Sequence, residues 1–322
     1  MGAFAKPKLV VSQCLEFDHC RYNGDVIHHP TIRKLMAHVD FLPVCPEVEI
    51  GLGTPRETIR IVLQNGEQRL MQPKTDKDVT ADMEKFSDAY LQSLQQIDGF
   101  ILKSRSPSCG LKEVKLYTST EKGPAIGSSS GLFGGKVLEL YPHLAIEDEG
   151  RLNNFLIRER FFTKIFLLAA FRELKKEKSL QRLTAFHEVN KYLFLAYSRP
   201  TQKLLTRILK NKEQQKPEEL FSLYEKGLSR LFLRTARYDS SINAAKEMAK
   251  AFDRFLNDKE KSYFLELTEK VAEKKEPFSS VMALLKSWAY RFEDEEILRQ
   301  SWFEPYPGDL LEISDSGKGR DY

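Results

Sequence analysis

Short apolar runs alternate with amphipathic segments between residues 8 and 145. Residues 8–13, 41–44 and 98–102 each contain an apolar run bounded by polar or turn-forming residues, a pattern typical of buried strands. Residues 30–39 and 80–97 carry apolar side chains at helical spacing. Strands that alternate with helices predict an α/β domain with a Rossmann-like parallel or mixed sheet.

Further elements are predicted around this alternation. Two runs at 59–63 and 68–71 flank Asn65-Gly66, which is a strong hairpin signal. Residues 114–117 are predicted to form another strand, and 131–140 a glycine-rich helix. Neighbouring Ser128-Ser129-Ser130 invites comparison with a phosphate-binding loop, but neither a Walker spacing nor a dinucleotide fingerprint is present.

The pattern changes at Arg151, after which helical periodicity dominates. We therefore predict an α/β domain over 1–147, an all-α domain over 151–313 and a flexible polar tail over 314–322. The helical segments are predicted at 153–176, 180–211, 217–236, 242–256, 259–274 and 278–288.

Composition adds a charge asymmetry to this two-part organisation. Of the 322 residues, 41% are hydrophobic and 30% charged, as in soluble globular proteins. No secretory h-region or membrane-spanning run is visible, so a cytoplasmic protein with no membrane partner is expected. Residues 1–150 hold 17 Lys and Arg against 20 Asp and Glu, a net charge of −3, which leaves 33 against 26, or +7, for the rest. The basic half indicates an anionic partner, although an ordinary helical surface can show the same excess.

Three of the four cysteines follow predicted strands. Cys14, Cys45 and Cys109 stand at or beyond the carboxyl ends of these strands, where α/β sheets place their ligands. Three thiolates suit zinc or an iron–sulfur cluster and leave one coordination position open. They can equally be small buried hydrophobic residues. Cys20 does not fit the strand-end pattern, and no metal-ligand spacing supports its neighbour His19.

Polar residues near these cysteines are candidates for catalysis and substrate binding. Glu47 follows Cys45 by two positions and is placed to act as a general acid or base, with Glu49 as the competing carboxylate. The loop at 103–110, KSRSPSCG, supplies hydroxyl donors for a heterocycle and, with Arg56, cations for a phosphate or carbonyl. Those cations are Lys103 and Arg105.

Three blocks of sequence resemble the signatures of the thiouracil desulfidase family. They are SQCL at 12–15 with RYNG at 21–24, CPEV at 45–48 with GL at 51–52 and PR at 55–56, and KSRSPSCG at 103–110. The second half resembles the helical domain fused to that module, through RLN at 151–153, the residues Phe186-His187 with Lys191-Tyr192, and FEPYP at 303–307. Together the halves look like the two-domain enzymes that remove sulfur from 4-thiouridine in tRNA.

The resemblance implies a [4Fe-4S] cluster held by Cys14, Cys45 and Cys109. Its fourth iron would bind the sulfur of a thiolated pyrimidine base or nucleoside and make the ring carbon electrophilic. Glu47 would handle the protons of the attacking water, and Ser106 would assist at the substrate. As substrate-binding residues we predict Ser12, Arg56, Lys103, Arg105 and Ser108.

The helical half would then present tRNA, with His187 and Lys191 as RNA contacts one helical turn apart. Basic residues there would neutralise phosphates, and they are Lys175, Lys176, Lys178, Arg182, Lys203, Arg207, Lys210 and Lys212. Two departures from the family pattern are the segment 16–20, which replaces a small glycine-containing loop, and the absence of an expected histidine after Asn243.

Two alternatives remain. One is an enzyme acting on free 2-thiouracil with a structural helical half. The other is a non-catalytic iron–sulfur or zinc redox sensor.

Overall fold

The computed structural model describes residues 4–211, 215–233 and 236–312. Contacts between residues divide the chain into two compact units, one running to Ala169 and including a segment that begins at Asp309, the other running from Ala170 to Gly308. The predicted tail at 314–322 and Lys212 lie outside the described residues. Within the described ranges, no helix is both long enough and apolar enough to cross a membrane.

The first unit is an α/β domain, as predicted. Its strands are β1 (Lys8–Ser12), β2 (Asp40–Val44), β3 (Arg60–Gln64), β4 (Glu67–Gln72), β5 (Lys77–Asp78), β6 (Gly99–Leu102), β7 (Val114–Tyr117), β8 (Gly127–Ser129) and β9 (Ala145–Asp148). Its helices are α1 (Pro30–Leu35), α2 (Pro46–Glu49), α3 (Thr80–Ser93) and α4 (Leu132–Leu140), and α5 (Phe155–Glu177) leads out of it.

One sheet is entirely parallel and has the order β2-β1-β6-β9. Its central strands β1 and β6 are the completely buried apolar runs of the sequence, apart from the partly exposed Lys8. Because the strands are parallel, their carboxyl ends meet along one edge. The segments after β1, β2 and β6 therefore leave the sheet side by side.

A second sheet of order β5-β4-β3-β7-β8 lies in the same unit. The predicted Asn65-Gly66 hairpin joins β3 to β4, with both turn residues at positive φ. A hydrophobic core links the two sheets with α3 and α4 through fully buried side chains that include Phe100, Ile61 and Phe133.

The second unit is helical, which confirms the predicted change of architecture. Its helices are α6 (Leu180–Tyr197), α7 (Arg199–Lys210), α8 (Pro217–Phe232), α9 (Tyr238–Ala249), α10 (Asp258–Ala272), α11 (Phe278–Arg291) and α12 (Glu295–Leu298). The prediction of a single helix over 180–211 was wrong, because α6 ends before Ser198 and α7 begins after it. The Ser198 hydroxyl caps α7 by accepting from the backbone N–H of Thr201, and Pro200 occupies the first turn, where its missing N–H costs nothing.

Candidate functional site

The three strand-end cysteines line one cavity of about 340 Å³. Cys14 follows β1, Cys45 follows β2 at the start of α2, and Cys109 lies in the loop after β6. Cys45 and Cys109 are buried, whereas Cys14 is partly exposed. The parallel sheet thus brings together three thiols that are far apart in sequence, as their strand-end positions predicted.

The loop at 103–110 is held in place by the first turn of α4. Backbone N–H groups of Gly131, Leu132 and Gly134 donate to the carbonyl oxygens of Gly110, Pro107 and Ser108 at 2.7, 3.1 and 2.9 Å. A Cβ on Gly131 or Gly134 would lie only 2.5 Å from a carbonyl oxygen of this loop. The glycine-rich segment therefore serves close packing of helix against loop, and its N–H groups are already used.

A chain of hydrogen bonds fixes Glu47 in the cavity wall. Its Oε1 accepts from the Ser108 hydroxyl at 2.6 Å, and that hydroxyl is 2.9 Å from the hydroxyl of Ser106. Its Oε2 accepts from Arg56 Nε at 2.8 Å and from Nη2 at 2.6 Å. Glu49, the competing carboxylate, is exposed and is not part of the cavity lining. The carboxylate is thus oriented from both sides.

Arg56 is buried, with 4% of its side chain exposed, and its other donors are also engaged. Nη1 donates to the carbonyl oxygens of Cys20 and Gly53, both at 2.9 Å. This geometry makes Arg56 a residue that joins the Glu47 segment to the Cys20 loop. Direct contact between Arg56 and substrate stays a prediction.

Glu149 belongs to the same region and was not among the predicted site residues. Its carboxylate accepts from Lys103 Nζ at 2.5 Å and from the backbone N–H and hydroxyl of Ser104, both at 2.7 Å. Burial alone would raise the pKa of Glu149, but Lys103 and Ser104 hold it below its ordinary value. Its only signal in the sequence is weak, namely two acidic neighbours in a predicted turn, because its contact with the loop at 103–110 is made between segments far apart along the chain.

Ser12 and Arg105 are the two remaining residues that were predicted to bind substrate. The Ser12 hydroxyl accepts from the backbone N–H of Lys103 at 2.9 Å and hydrogen-bonds to the Cys109 thiol. Arg105 has a left-handed backbone (φ 57°) and a largely exposed side chain that is 3.3 Å from Glu113. Both residues line the cavity, so Ser12 supports its wall while Arg105 stands at its mouth.

The fourth cysteine also faces this cavity, which the sequence did not predict. Cys20 is 3% exposed and lines the cavity together with the neighbouring thiols of Cys14 and Cys45, and its carbonyl oxygen lies 3.8 Å from the Cys45 sulfur. The contact with Cys14 is the main cause that raises the pKa of Cys20 to about 12, and the contact with Cys20 raises the pKa of Cys45. Burial raises the pKa of Cys109 to about 12.

The side chains at this site fit a soft metal centre. Thiolates are the preferred ligands of iron–sulfur clusters and zinc. In the ranges that the structure describes, no three Cys, His, Asp or Glu side chains converge as ligands of a single metal ion. The three strand-end thiols instead surround a cavity, an arrangement that suits a larger group bound by separate atoms. Since the thiols of Cys45 and Cys109 carry raised pKa values, binding of such a group through their thiolates would release protons.

The predicted RNA contacts of the helical unit have partners inside that unit. His187 is 2% exposed, and its ring nitrogens lie 3.0 Å from the hydroxyls of Tyr224 and Thr206. Lys191 pairs with Glu296 at 2.5 Å. Any effect of His187 on RNA binding would therefore act through the packing of α6, and Lys191 would first have to leave Glu296.

Basic side chains on α7 are better placed for an anionic partner. Lys203, Arg207 and Lys210 recur at helical spacing, are all exposed and have no ion pair within the described part of the chain. Four other predicted phosphate contacts are engaged with glutamates. These are Lys175 with Glu225, Lys176 with Glu173, Lys178 with Glu218 and Arg182 with Glu177.

Comparison with known proteins agrees with this division of the chain. Residues 9–149 match the sequence model of the family described as 2-thiouracil desulfurase, and residues 191–307 match DUF1722, a family of unknown function. The uncharacterized protein YbbK of Bacillus subtilis (strain 168) is 35% identical over 130 residues, which are 38% of this chain and 83% of that protein.

Among solved structures, a protein described as the [4Fe-4S]-dependent thiouracil desulfidase TudS is similar to this chain. It is 29% identical, and the match covers 46% of this chain and 93% of that one with a TM-score of 0.37. The match to the family model and the identity with YbbK over most of its length both fall on the α/β unit that contains the cavity. The chain therefore belongs to the 2-thiouracil desulfurase family, with a DUF1722 domain following the desulfurase domain.

Proposed function

We propose that this chain is a [4Fe-4S]-dependent desulfidase that replaces the thiocarbonyl sulfur of a thiolated pyrimidine with oxygen from water. The reaction consumes one water and gives the carbonyl product and hydrogen sulfide, so it needs no external oxidant or reductant. The observation that carries the proposal is an oriented carboxylate, Glu47, in the same cavity as the thiols of Cys14, Cys45 and Cys109.

Cys14, Cys45 and Cys109 would hold the cluster, each from the loop that follows a strand of the parallel sheet. When bound, the cluster supplies a Lewis-acidic iron that polarises the thiocarbonyl group. Three soft ligands leave one position for substrate, in keeping with the number of strand-end thiols.

Glu47 would accept a proton from the attacking water and return it to the departing sulfur. Its two oxygens are held by different partners, Ser108 and Arg56, so the carboxylate is oriented before substrate arrives. Ser106 continues this chain of hydrogen bonds and lines the cavity, where its hydroxyl can contact the pyrimidine. The pair of Lys103 and Glu149 fixes the adjacent wall.

We further propose 4-thiouridine in tRNA as the physiological substrate. Support comes from the net charge of +7 beyond residue 150 and from Lys203, Arg207 and Lys210 on α7. Exposed cations on one helix face can bind a phosphate backbone without reading its sequence. A free-base enzyme would have no use for this surface.

The test is sulfide release by anaerobically reconstituted protein, measured with 2-thiouracil, 4-thiouridine and tRNA that contains 4-thiouridine. We expect iron and sulfide in the protein, a visible absorption band, and turnover fastest with the tRNA. Cys109→Ala should lose both the absorption band and the activity. Turnover of free 2-thiouracil alone would support the free-base alternative, and loaded protein that releases no sulfide from any of the three would support the sensor.

A further inference from the structure

Cys20 occupies a position that the ligand set of the proposed desulfidase does not explain. Its buried side chain lines the same cavity as the three proposed ligands Cys14, Cys45 and Cys109. Cys20 lies in the loop after β1, beyond Cys14, much as Cys109 lies in the loop after β6. The same loop also brings Arg21 and Tyr22 to the lining of the cavity.

The backbone of Cys20 is fixed by residues of the site itself. Its carbonyl oxygen accepts from Arg56 Nη1 at 2.9 Å and lies 3.8 Å from the Cys45 sulfur. The same guanidinium holds Glu47. One buried arginine thus sets the position of the Cys20 loop relative to the catalytic carboxylate.

The conformation of the loop that carries Cys20 is also restrained at Glu16. Glu16 adopts φ 75°, a left-handed conformation that favours glycine, and its carboxylate is held by the backbone N–H of His29 and by the side chains of His28 and Arg33. A loop fastened at both Glu16 and Cys20 keeps the thiol at the cavity. A cysteine that merely filled space would instead be surrounded by apolar side chains.

We propose that Cys20 is an exchangeable fourth ligand of the iron–sulfur centre, which occupies the open coordination position until the substrate sulfur displaces it. This inference rests on the proposed function. In the exchange the iron–sulfur bond to Cys20 breaks, the bond to the thiocarbonyl sulfur forms, and the released thiolate takes a proton from water. No oxidation state changes, and the reverse exchange follows product release.

Two consequences follow from a ligand that competes with substrate. The resting centre has no iron open to dioxygen or small anions, so it should survive longer in air. Substrate has to displace the Cys20 thiol from the iron. The larger the fraction of protein in which Cys20 is bound to the iron, the lower the apparent affinity for substrate. Removing the thiol should therefore improve apparent binding and shorten the lifetime of the centre.

The experiment compares full-length wild type with Cys20→Ala and Cys20→Ser after anaerobic reconstitution. Iron content, cyanide binding followed by electron paramagnetic resonance of the reduced centre, and loss of visible absorption in air are measured. We expect unchanged iron content, cyanide binding about fivefold or more tighter in Cys20→Ala, and faster bleaching. Tyr22→Ala, which opens the same wall without removing a thiol, controls for simple access.

Equal cyanide affinity and equal bleaching in wild type and Cys20→Ala would overturn the proposal. So would an equal change in Tyr22→Ala, because access alone would then explain the result. Loss of iron from Cys20→Ala would make Cys20 a permanent ligand and would also overturn it. Wild-type protein that takes up no iron would overturn the proposed function as well, which separates the two failures.

Discussion

Glu47 is the residue whose surroundings most directly connect structure with chemistry. Glu47→Gln keeps the size of the side chain but removes the proton acceptor, so kcat should fall by about 10²–10⁴-fold while iron content stays unchanged. Glu49→Gln is the matched control, since Glu49 lies on the same short helix but is exposed and outside the cavity. Assays of turnover and iron content on both variants check this. Equal losses in both would show that the role of Glu47 is structural.

His187 gives a prediction about stability. Burial lowers its pKa from 6.5 to about 4, so between these pH values the unfolded chain binds more protons than the folded one. The stability of the helical unit should therefore be full above pH 6.5, fall as the pH decreases toward about 4, and then level off, with a total loss of roughly 3 kcal/mol from this group.

Urea unfolding of apoprotein at several pH values tests the prediction. His187→Gln keeps a donor and an acceptor but does not titrate, so its dependence on pH should be flatter by that amount. A His187→Gln slope equal to that of wild type would contradict the prediction.

At the residue scale, the sequence predicts the part of the site that the strands position. Cys14 and Cys45 come soon after β1 and β2, and Cys109 lies in the loop after β6, so the direction of the parallel strands places all three at one edge of the sheet. The positions of Cys20 and Glu149 could not be predicted in this way, because their contacts depend on the conformations of loops that are far apart in sequence. Nothing in local sequence indicates that Arg56 reaches the carbonyl of Cys20, or that Ser104 reaches Glu149.

The packing of α4 on the loop at 103–110 gives a prediction at the scale of elements. In Gly134→Ala the new Cβ would stand 2.5 Å from the carbonyl oxygens of Cys109 and Gly110, and neither backbone group can move without displacing Cys109. We expect iron uptake to fall below about half of the wild-type level, together with a loss of stability. Iron content after reconstitution and thermal unfolding measure the two effects.

Gly135→Ala is the matched control on the same helix. Its Cβ would meet the Ser130 hydroxyl at 2.6 Å, a group that can rotate away. Alanine is also favoured over glycine inside a helix by about 0.5–1 kcal/mol, so stability should hold or rise. Normal iron uptake in Gly134→Ala would show that the loop tolerates displacement.

Most elements follow from local pattern, and the differences have local causes. The buried apolar runs were enough to predict β1 and β6, and the Asn65-Gly66 turn was enough to predict the β3–β4 hairpin. The short strands β5 and β8 carry almost no apolar signal, and they form because β4 and β7 offer free edges. The break between α6 and α7 was hidden because apolar periodicity continues through Ser198 and Pro200, while capping and the missing N–H decide the geometry.

At the scale of the whole molecule, chemistry and charge belong to different units. The cavity lies entirely within the α/β unit, and the exposed cations of α7 lie in the helical unit. With the proposed tRNA as substrate, the helical unit would bind phosphates and the α/β unit would act on the base. The net charge predicted an anionic partner, but the structure was needed to separate exposed cations from those neutralised by glutamates.

The salt dependence of tRNA binding tests whether the helical unit binds phosphates while the α/β unit carries out the reaction. Replacing Lys203, Arg207 and Lys210 together by Gln should weaken tRNA binding and reduce the slope of log K against log salt concentration by about 2–3, since each lost phosphate contact on a duplex contributes about 0.9. Sulfide release from free 2-thiouracil should be unaffected, because none of the three lines the cavity.

A second triple variant is the matched control, in which Gln replaces Lys175, Lys176 and Lys178. It removes the same charge from side chains that are already ion-paired, so the slope of log K against log salt concentration should change less. Equal slopes for the two triple variants would mean that α7 is not the phosphate-binding surface, and binding insensitive to salt in the wild type would exclude tRNA as the partner of this unit.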